Sequence, residues 1–189
     1  MSKRSTLISD EIWKLEGFCV GGVGTNLRLP SLGLAFDIGR CSDYAVNIPT
    51  IAITHGHLDH VGAVAHHCAR RELFKKDAPT YIMNPELVPK FEAFMEACRA
   101  LDGSRLEYTI VPLNVGEGWS LGKGRWLRPF QSVHRVKTQG YCVWETRRRL
   151  KAEYKSLAGQ EIGALRKKGV EVNEEYESPE IAYTGDTTI

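Results

Sequence analysis

Long apolar runs are missing from this 189-residue sequence. None approaches the roughly 20 residues that a membrane-spanning helix requires, so no membrane association is expected. The opening stretch, MSKRSTLISDEIWKLEG, has no apolar core of the secretory kind and is expected not to be a signal. The five cysteines, Cys19, Cys41, Cys68, Cys98 and Cys142, are odd in number and form no C-x-x-C pair. That pattern argues against a disulfide framework and for reduced thiols in a cytoplasmic protein. An excess of one charge is also missing. The formal net charge is +2, so the overall balance does not call for a nucleic-acid partner, and only a local cluster can argue for one. Repeats and low-complexity linkers are absent.

What is present is the composition of a globular domain, 42% hydrophobic and 25% charged, long enough to bury a core. Short apolar runs alternate with helical patterns. Residues 12–20 and 27–39 read as strands, separated by turn signals at Gly21, Gly22 and Gly24. Strands are also expected at 49–54, 79–83, 107–113, 140–145 and 180–184, and the glycine-punctuated segment 116–124 is strand-like. Helical spacing marks 60–74 and 85–101, the latter through Leu87, Phe91, Phe94, Met95, Cys98 and Leu101. The segment 147–168 reads as one or two helices interrupted by Gly159 and Gly163. Alternation of this kind argues for an α/β layered fold.

The most informative stretch is AITHGHLDHVGA, residues 52–63. At the end of a strand, alternate residues point the same way, so His55 and His57 reach one cation together. Asp59 and His60, at the following turn and helix start, face a second. Neutral imidazole and carboxylate suit zinc and other borderline divalent ions. Gly56 lets the loop turn tightly. GGVGTN, residues 21–26, does not fit the spacing of a phosphate-binding glycine loop before a helix and reads as a hairpin.

THGHLDH resembles the signature of the metallo-β-lactamase superfamily, αββα sandwiches with two metal ions at an open edge. AFDIGRC (35–41), QSVHRVKTQGYCVWE (131–145) and SPEIAYTGDTT (178–188) resemble, in order, blocks of ribonuclease Z, and most of all its short form. That family trims the 3′ trailer from precursor tRNA. The resemblance implies that His55, His57 and His134 bind one zinc ion, that Asp59 and His60 bind a second, and that Asp186 bridges the two; Mn2+ or Mg2+ are alternative ions. It implies that Asp59 is the base or water-orienting group, and that Asp37, at a strand end, supports the histidines through hydrogen bonds. It also implies a cytoplasmic homodimer whose one subunit clamps the tRNA that the other cuts.

Two metals suit the chemistry. They acidify a water, neutralise phosphate oxygens and stabilise the leaving alkoxide. The products implied are a tRNA 3′-hydroxyl and a trailer 5′-phosphate.

Residues 147–168 carry eight Lys or Arg against two Glu. Arg147, Arg148, Lys151, Lys155, Arg166 and Lys167 are candidate phosphate contacts, although a charge run is also an ordinary solvated helix face. In the family this interval holds an arm that grips the tRNA elbow, so 146–177 is expected to be a short basic arm inserted in one domain spanning 1–189. The sequence stops just after YTGDTT. In the family a further histidine ligand and a leaving-group histidine follow later, so the domain is expected to be incomplete at its C-terminus, with a missing segment or a partner supplying them. His66 and His67, on the helix after the cluster, point in different directions and read as surface or edge residues. Two other readings are a thioesterase or lactonase of the same superfamily, and an inactive metal- or RNA-binding remnant.

Overall fold

The computed structural model describes residues 8–9 and 13–187. Seven strands form one sheet in sequence order: β1 (Ile8–Ser9), β2 (Lys14–Val20), β3 (Gly24–Leu29), β4 (Leu34–Phe36), β5 (Thr50–Ala52), β6 (Thr80–Met83) and β7 (Thr109–Pro112). The first four pair antiparallel, and β4 to β7 pair parallel. A second, antiparallel sheet has the order β11-β10-β9-β8, with β8 (Trp119–Gly122), β9 (Arg125–Gln131), β10 (Gln139–Leu150) and β11 (Asn173–Tyr183). The helices are α1 (Leu58–Val61), α2 (Val64–Leu73), α3 (Val88–Asp102) and α4 (Gly159–Lys167).

The parallel strands β4, β5 and β6 are mostly apolar, with threonine only at the first position of β5 and β6, because both of their faces are covered. Side chains alternate between two cores. Leu34, Phe36, Ala52 and Ile82 point toward the second sheet and pack with Leu127, Tyr141 and Val143. Ala35, Ile51, Tyr81 and Met83 point the other way, against Val64 and Cys68 of α2 and Phe91 and Met95 of α3. Each fully buried large apolar side chain contributes about 1.5–3 kcal/mol. The result is a mixed α/β fold, layered helix–sheet–sheet among the described residues; α4 belongs to neither core. No described helix is long and apolar enough to cross a membrane.

Helix α3 begins with a proline in its first turn and ends at Gly103, whose φ of 76° is the usual left-handed terminator. The expected helix over 60–74 is broken at Gly62 and Ala63 into α1 and α2. Helix α2 then buries Val64, His67, Cys68 and Arg71 at helical spacing. His67 is therefore not a surface residue. It is fully buried, and its Nδ1 lies 3.0 Å from the Tyr81 hydroxyl. His66 is exposed, as expected.

The larger correction concerns 147–168. Residues 147–150 are not helical but continue β10, and Gly159 opens α4 rather than interrupting a helix. The cause is cross-strand pairing: Arg148 faces Glu175 and Arg149 faces Glu174 in register, with ion pairs of 3.3 Å and 2.7 Å. Opposite charges across a ladder favour the strand over local helix propensity.

Candidate metal centre

The ends of the parallel strands converge on one edge. Asp37 follows β4, and the segment Thr54–His60 follows β5. The connection between β9 and β10 brings His134, and the turn after β11 brings Asp186. Tyr141 ties the second sheet to this edge, donating its hydroxyl hydrogen to the Ile53 carbonyl at 2.9 Å. Two glycines permit the close approaches. A Cβ on Gly39 would lie 1.8 Å from the Asp59 carbonyl oxygen, and one on Gly185 would lie 2.8 Å from the Thr54 side chain. Without a side chain at 185, Asp186 comes in against the β5 loop.

Two overlapping donor groups result. Ligand atoms of His55, His57, His134 and Asp186 all lie within 4.8 Å of one another, as do those of Asp59, His60 and Asp186. His57 Nδ1 sits 3.0 Å from His55 Nε2 and 3.3 Å from His134 Nε2. One Asp186 oxygen is 3.3 Å from His60 Nε2 and the other is 3.9 Å from His134 Nε2. Asp186 thus faces both groups. Asp59 Oδ2 lies 3.7 Å from His60 Nε2 and accepts the Gly22 N–H at 2.7 Å.

Asp37 organises the site from behind. Its carboxylate is fully buried and its φ of 58° is left-handed, a conformation aspartate tolerates better than most residues. It accepts the Thr54 N–H at 2.8 Å and the Thr54 and Tyr183 hydroxyls at 2.9 Å and 3.2 Å. It also lies 2.8 Å from His60 Nδ1. With an Nδ1 hydrogen given to Asp37, the neutral His60 ring offers Nε2 as a lone pair. That atom is buried and has no hydrogen-bond partner among the described residues.

At His55 and His57 the electrostatics point the same way, toward neutral rings. Burial, then the neighbouring His60 and His57, push the His55 pKa down to about 4. Burial, Arg135 and His134 lower that of His57. Both rings are therefore neutral at physiological pH, the form that ligates metal. Burial opposes ionisation of Asp59, but the Gly22 N–H and its own backbone N–H outweigh it, and its pKa is lowered. Burial raises the pKa of Asp37 in spite of its bond to His60. His60 is raised because Asp37, with Asp186 and Asp59, outweighs its own burial.

These donors fit a divalent cation. Ring nitrogens of three imidazoles and a carboxylate oxygen gather within 4.8 Å of one another, a set that one cation can hold once the ring nitrogens facing it give up their hydrogens. The buried, unpartnered Nε2 of His60 faces a second point, and such a group carries a desolvation cost that a ligand removes. The first group has four donors and the second three.

The basic residues lie elsewhere. Arg147 is paired with Glu145 and Glu180, both at 2.8 Å, and Arg148 with Glu175. Lys155, Arg166 and Lys167 are exposed near the tip of the β10–β11 ribbon, and Lys151 is half-buried. Sequence reasoning passed over Gly22, Thr54, Tyr183 and Arg135. Arg135 Nη2 lies 3.3 Å from His57 Nε2, and its place next to His134 was the available signal.

A mixed α/β fold with a histidine–aspartate cluster that could hold metal at one sheet edge points to the class of metal-binding α/β proteins. Comparison with known proteins narrows it. The chain is 39% identical over 178 residues to tRNase Z TRZ1 of Arabidopsis thaliana, covering 94% of this chain and 64% of that protein. It is 37% identical over 178 residues to the chloroplastic tRNase Z TRZ2 of the same plant, again covering 94% of this chain but 50% of that protein. Nuclear ribonuclease Z of Triticum aestivum is 38% identical over 162 residues, which is 86% of this chain and 92% of that one. The chain belongs to the ribonuclease Z family. It spans less than two thirds of the length of the two Arabidopsis proteins. Among solved structures, the metallo-β-lactamase fold protein YhfI of Bacillus subtilis overlaps 72% of this chain and 52% of its own, at 9% identity and a TM-score of 0.47. No protein-family model matches the chain.

Proposed function

We propose that the chain carries the hydrolytic centre of a zinc-dependent endoribonuclease that removes the 3′ trailer from precursor tRNA. The observation that carries this reading is the meeting of His55, His57, His134 and Asp186 within 4.8 Å, in a chain of the ribonuclease Z family. In this reading His55, His57 and His134 would hold one zinc ion and Asp59 and His60 the other, with Asp186, a member of both donor groups, available to each. Bound ions supply acidity to a water and positive charge to the phosphate and leaving oxygen.

The protein's own groups do the rest. Asp59, ionised and held by the Gly22 N–H, accepts a hydrogen bond from the attacking water and orients it. Asp37 fixes the His60 tautomer and ring plane. The water oxygen adds to phosphorus and the bond to the 3′-oxygen breaks. The attacking water gives up one proton, by way of Asp59 to solvent. Solvent supplies one to the departing 3′-oxygen to complete the tRNA 3′-hydroxyl, and the phosphate leaves on the trailer. Lys155, Arg166 and Lys167 at the ribbon tip are exposed where a tRNA backbone can reach them, in keeping with an arm over 146–177 inserted in a single domain over 1–189. A homodimer and a cytoplasmic setting go with the same reading, and sedimentation and cell fractionation test them.

The test is cleavage of a precursor tRNA carrying a 3′ trailer by zinc-loaded protein, compared with thioester and lactone substrates. The reading expects RNA products ending in a 3′-hydroxyl and a 5′-phosphate, and their loss with His134→Ala. Turnover of a thioester or lactone without RNA cleavage would assign a different hydrolase chemistry.

A further inference from the structure

Beside His57 the surface opens into an apolar groove of about 290 Å³. Leu58, Leu87, Phe94 and Val136 form its walls. Leu58 is 70% exposed although it lies between two metal-group residues. Gly56 leaves the groove open, since a Cβ there would sit 3.0 Å from Leu87 Cδ1. Lys90 and Lys137 stand on the rim, and Arg135 is close by, against His57. Among the described residues Glu86 is the one carboxylate lining the groove, and it pairs with Lys137 at 3.0 Å. The rim is therefore cationic and the walls apolar. The connection holding His134 in the metal group also places Val136 in the wall and Lys137 on the rim.

A concave site that shares a residue with a hydrolytic centre receives the part of the substrate next to the reacting group. Apolar walls with a cationic rim match a flat base attached to a phosphodiester. The geometry points to a subsite for the nucleobase of an unpaired nucleotide flanking the scissile phosphate, with the base against Leu58, Leu87 and Val136 and the backbone phosphate toward Lys90 and Lys137. This inference rests on the RNA-cleaving reading above and deepens it. Which side of the cut the nucleotide occupies is read out by the experiment.

Binding of short single-stranded RNAs with an uncleavable central linkage, followed by fluorescence anisotropy on the full chain, tests it. One RNA is intact, one lacks the base 5′ of the linkage, and one lacks the base 3′ of it. The intact RNA is expected to bind about tenfold tighter than one of the two abasic RNAs. Leu87→Ala is expected to weaken the intact RNA to the level of that abasic RNA while leaving the abasic RNA unchanged. Should Leu87→Ala fail to fold, Leu58→Ser, at an exposed position, makes the same comparison. Lys90→Ala is expected to weaken all three RNAs and to lower the dependence of binding on salt. The inference is overturned if all three RNAs bind alike, or if base removal and wall substitutions act additively. It is also overturned if the wall variants change sedimentation but not RNA binding, which would give the groove to a second copy of the chain. Failure of the wild-type protein to cleave any precursor would instead remove the underlying reading, a result kept separate because binding is measured without turnover.

Discussion

Asp37 Oδ2 lies 2.8 Å from His60 Nδ1, and the opposite nitrogen of that ring is buried, unpartnered and aimed at Asp59 and Asp186. One contact behind the site therefore decides what the ring offers in front. Asp37→Asn presents an amide in place of the carboxylate and weakens that choice. We expect zinc affinity at the Asp59–His60 group to fall about 10–100-fold, measured by calorimetric titration. The His55–His57–His134 group, which Asp37 reaches only through Thr54, is expected to change less. Equal losses at both groups would contradict this division.

Gly39→Ala tests the close packing behind Asp59. The added methyl would meet the Asp59 carbonyl oxygen at 1.8 Å, and backbone cannot yield as a side-chain tip does. A loss of about 3 kcal/mol or more is expected in urea unfolding. Gly21→Ala meets nothing within 4 Å and is expected to cost less than about 1 kcal/mol by the same measurement.

His67 makes stability depend on pH. Burial and nearby Arg71 lower its pKa to about 4, from an ordinary 6.5. The unfolded chain therefore binds a proton that the folded chain refuses. Stability is fully present above pH 6.5 and is lost as the pH falls toward 4, by an amount on the order of 3 kcal/mol. His67→Gln should make the denaturation midpoint less steep in pH across that window. His55, also lowered to about 4 by burial, leaves a remaining slope in the same direction.

The ribbon residues should separate by their partners. Among the described residues Lys155 and Lys167 have no carboxylate within ion-pair distance, whereas Arg148 has Glu175 at 3.3 Å. Replacing both lysines with alanine is expected to weaken precursor tRNA binding. The slope of log affinity against log salt should also fall, by about 1 for each phosphate that is no longer neutralised. Arg148→Ala is expected to change the slope less. An unchanged slope in the lysine variant would assign the tip an ordinary solvated role.

Much of this was legible in the residues. The donors of His55, His57, Asp59 and His60 follow one strand within a few positions, so spacing alone brings them together. Helix α3 shows its apolar face at regular spacing. Strand β9 was not legible, because Pro129 reads as a strand breaker; it is tolerated beyond the end of β8, whose register stops at Trp119 opposite Leu127. The arginines of β10 read as helix until their glutamate partners on β11 are seen, more than twenty residues later in the chain. Tyr183 and Asp37 are 146 positions apart, and no local pattern announces their hydrogen bond. Spacing describes one segment at a time, whereas the site is assembled from several.

In this reading, side chains from three separated segments together hold divalent cations. Zinc titration of the purified chain, with bound metal counted by elemental analysis, tests it most directly. The account predicts metal binding that His134→Ala and His55→Ala each weaken strongly at the four-donor group, while the exposed His66→Ala leaves it unchanged. A chain that takes up no zinc, or that holds it equally well in all three variants, would contradict the account.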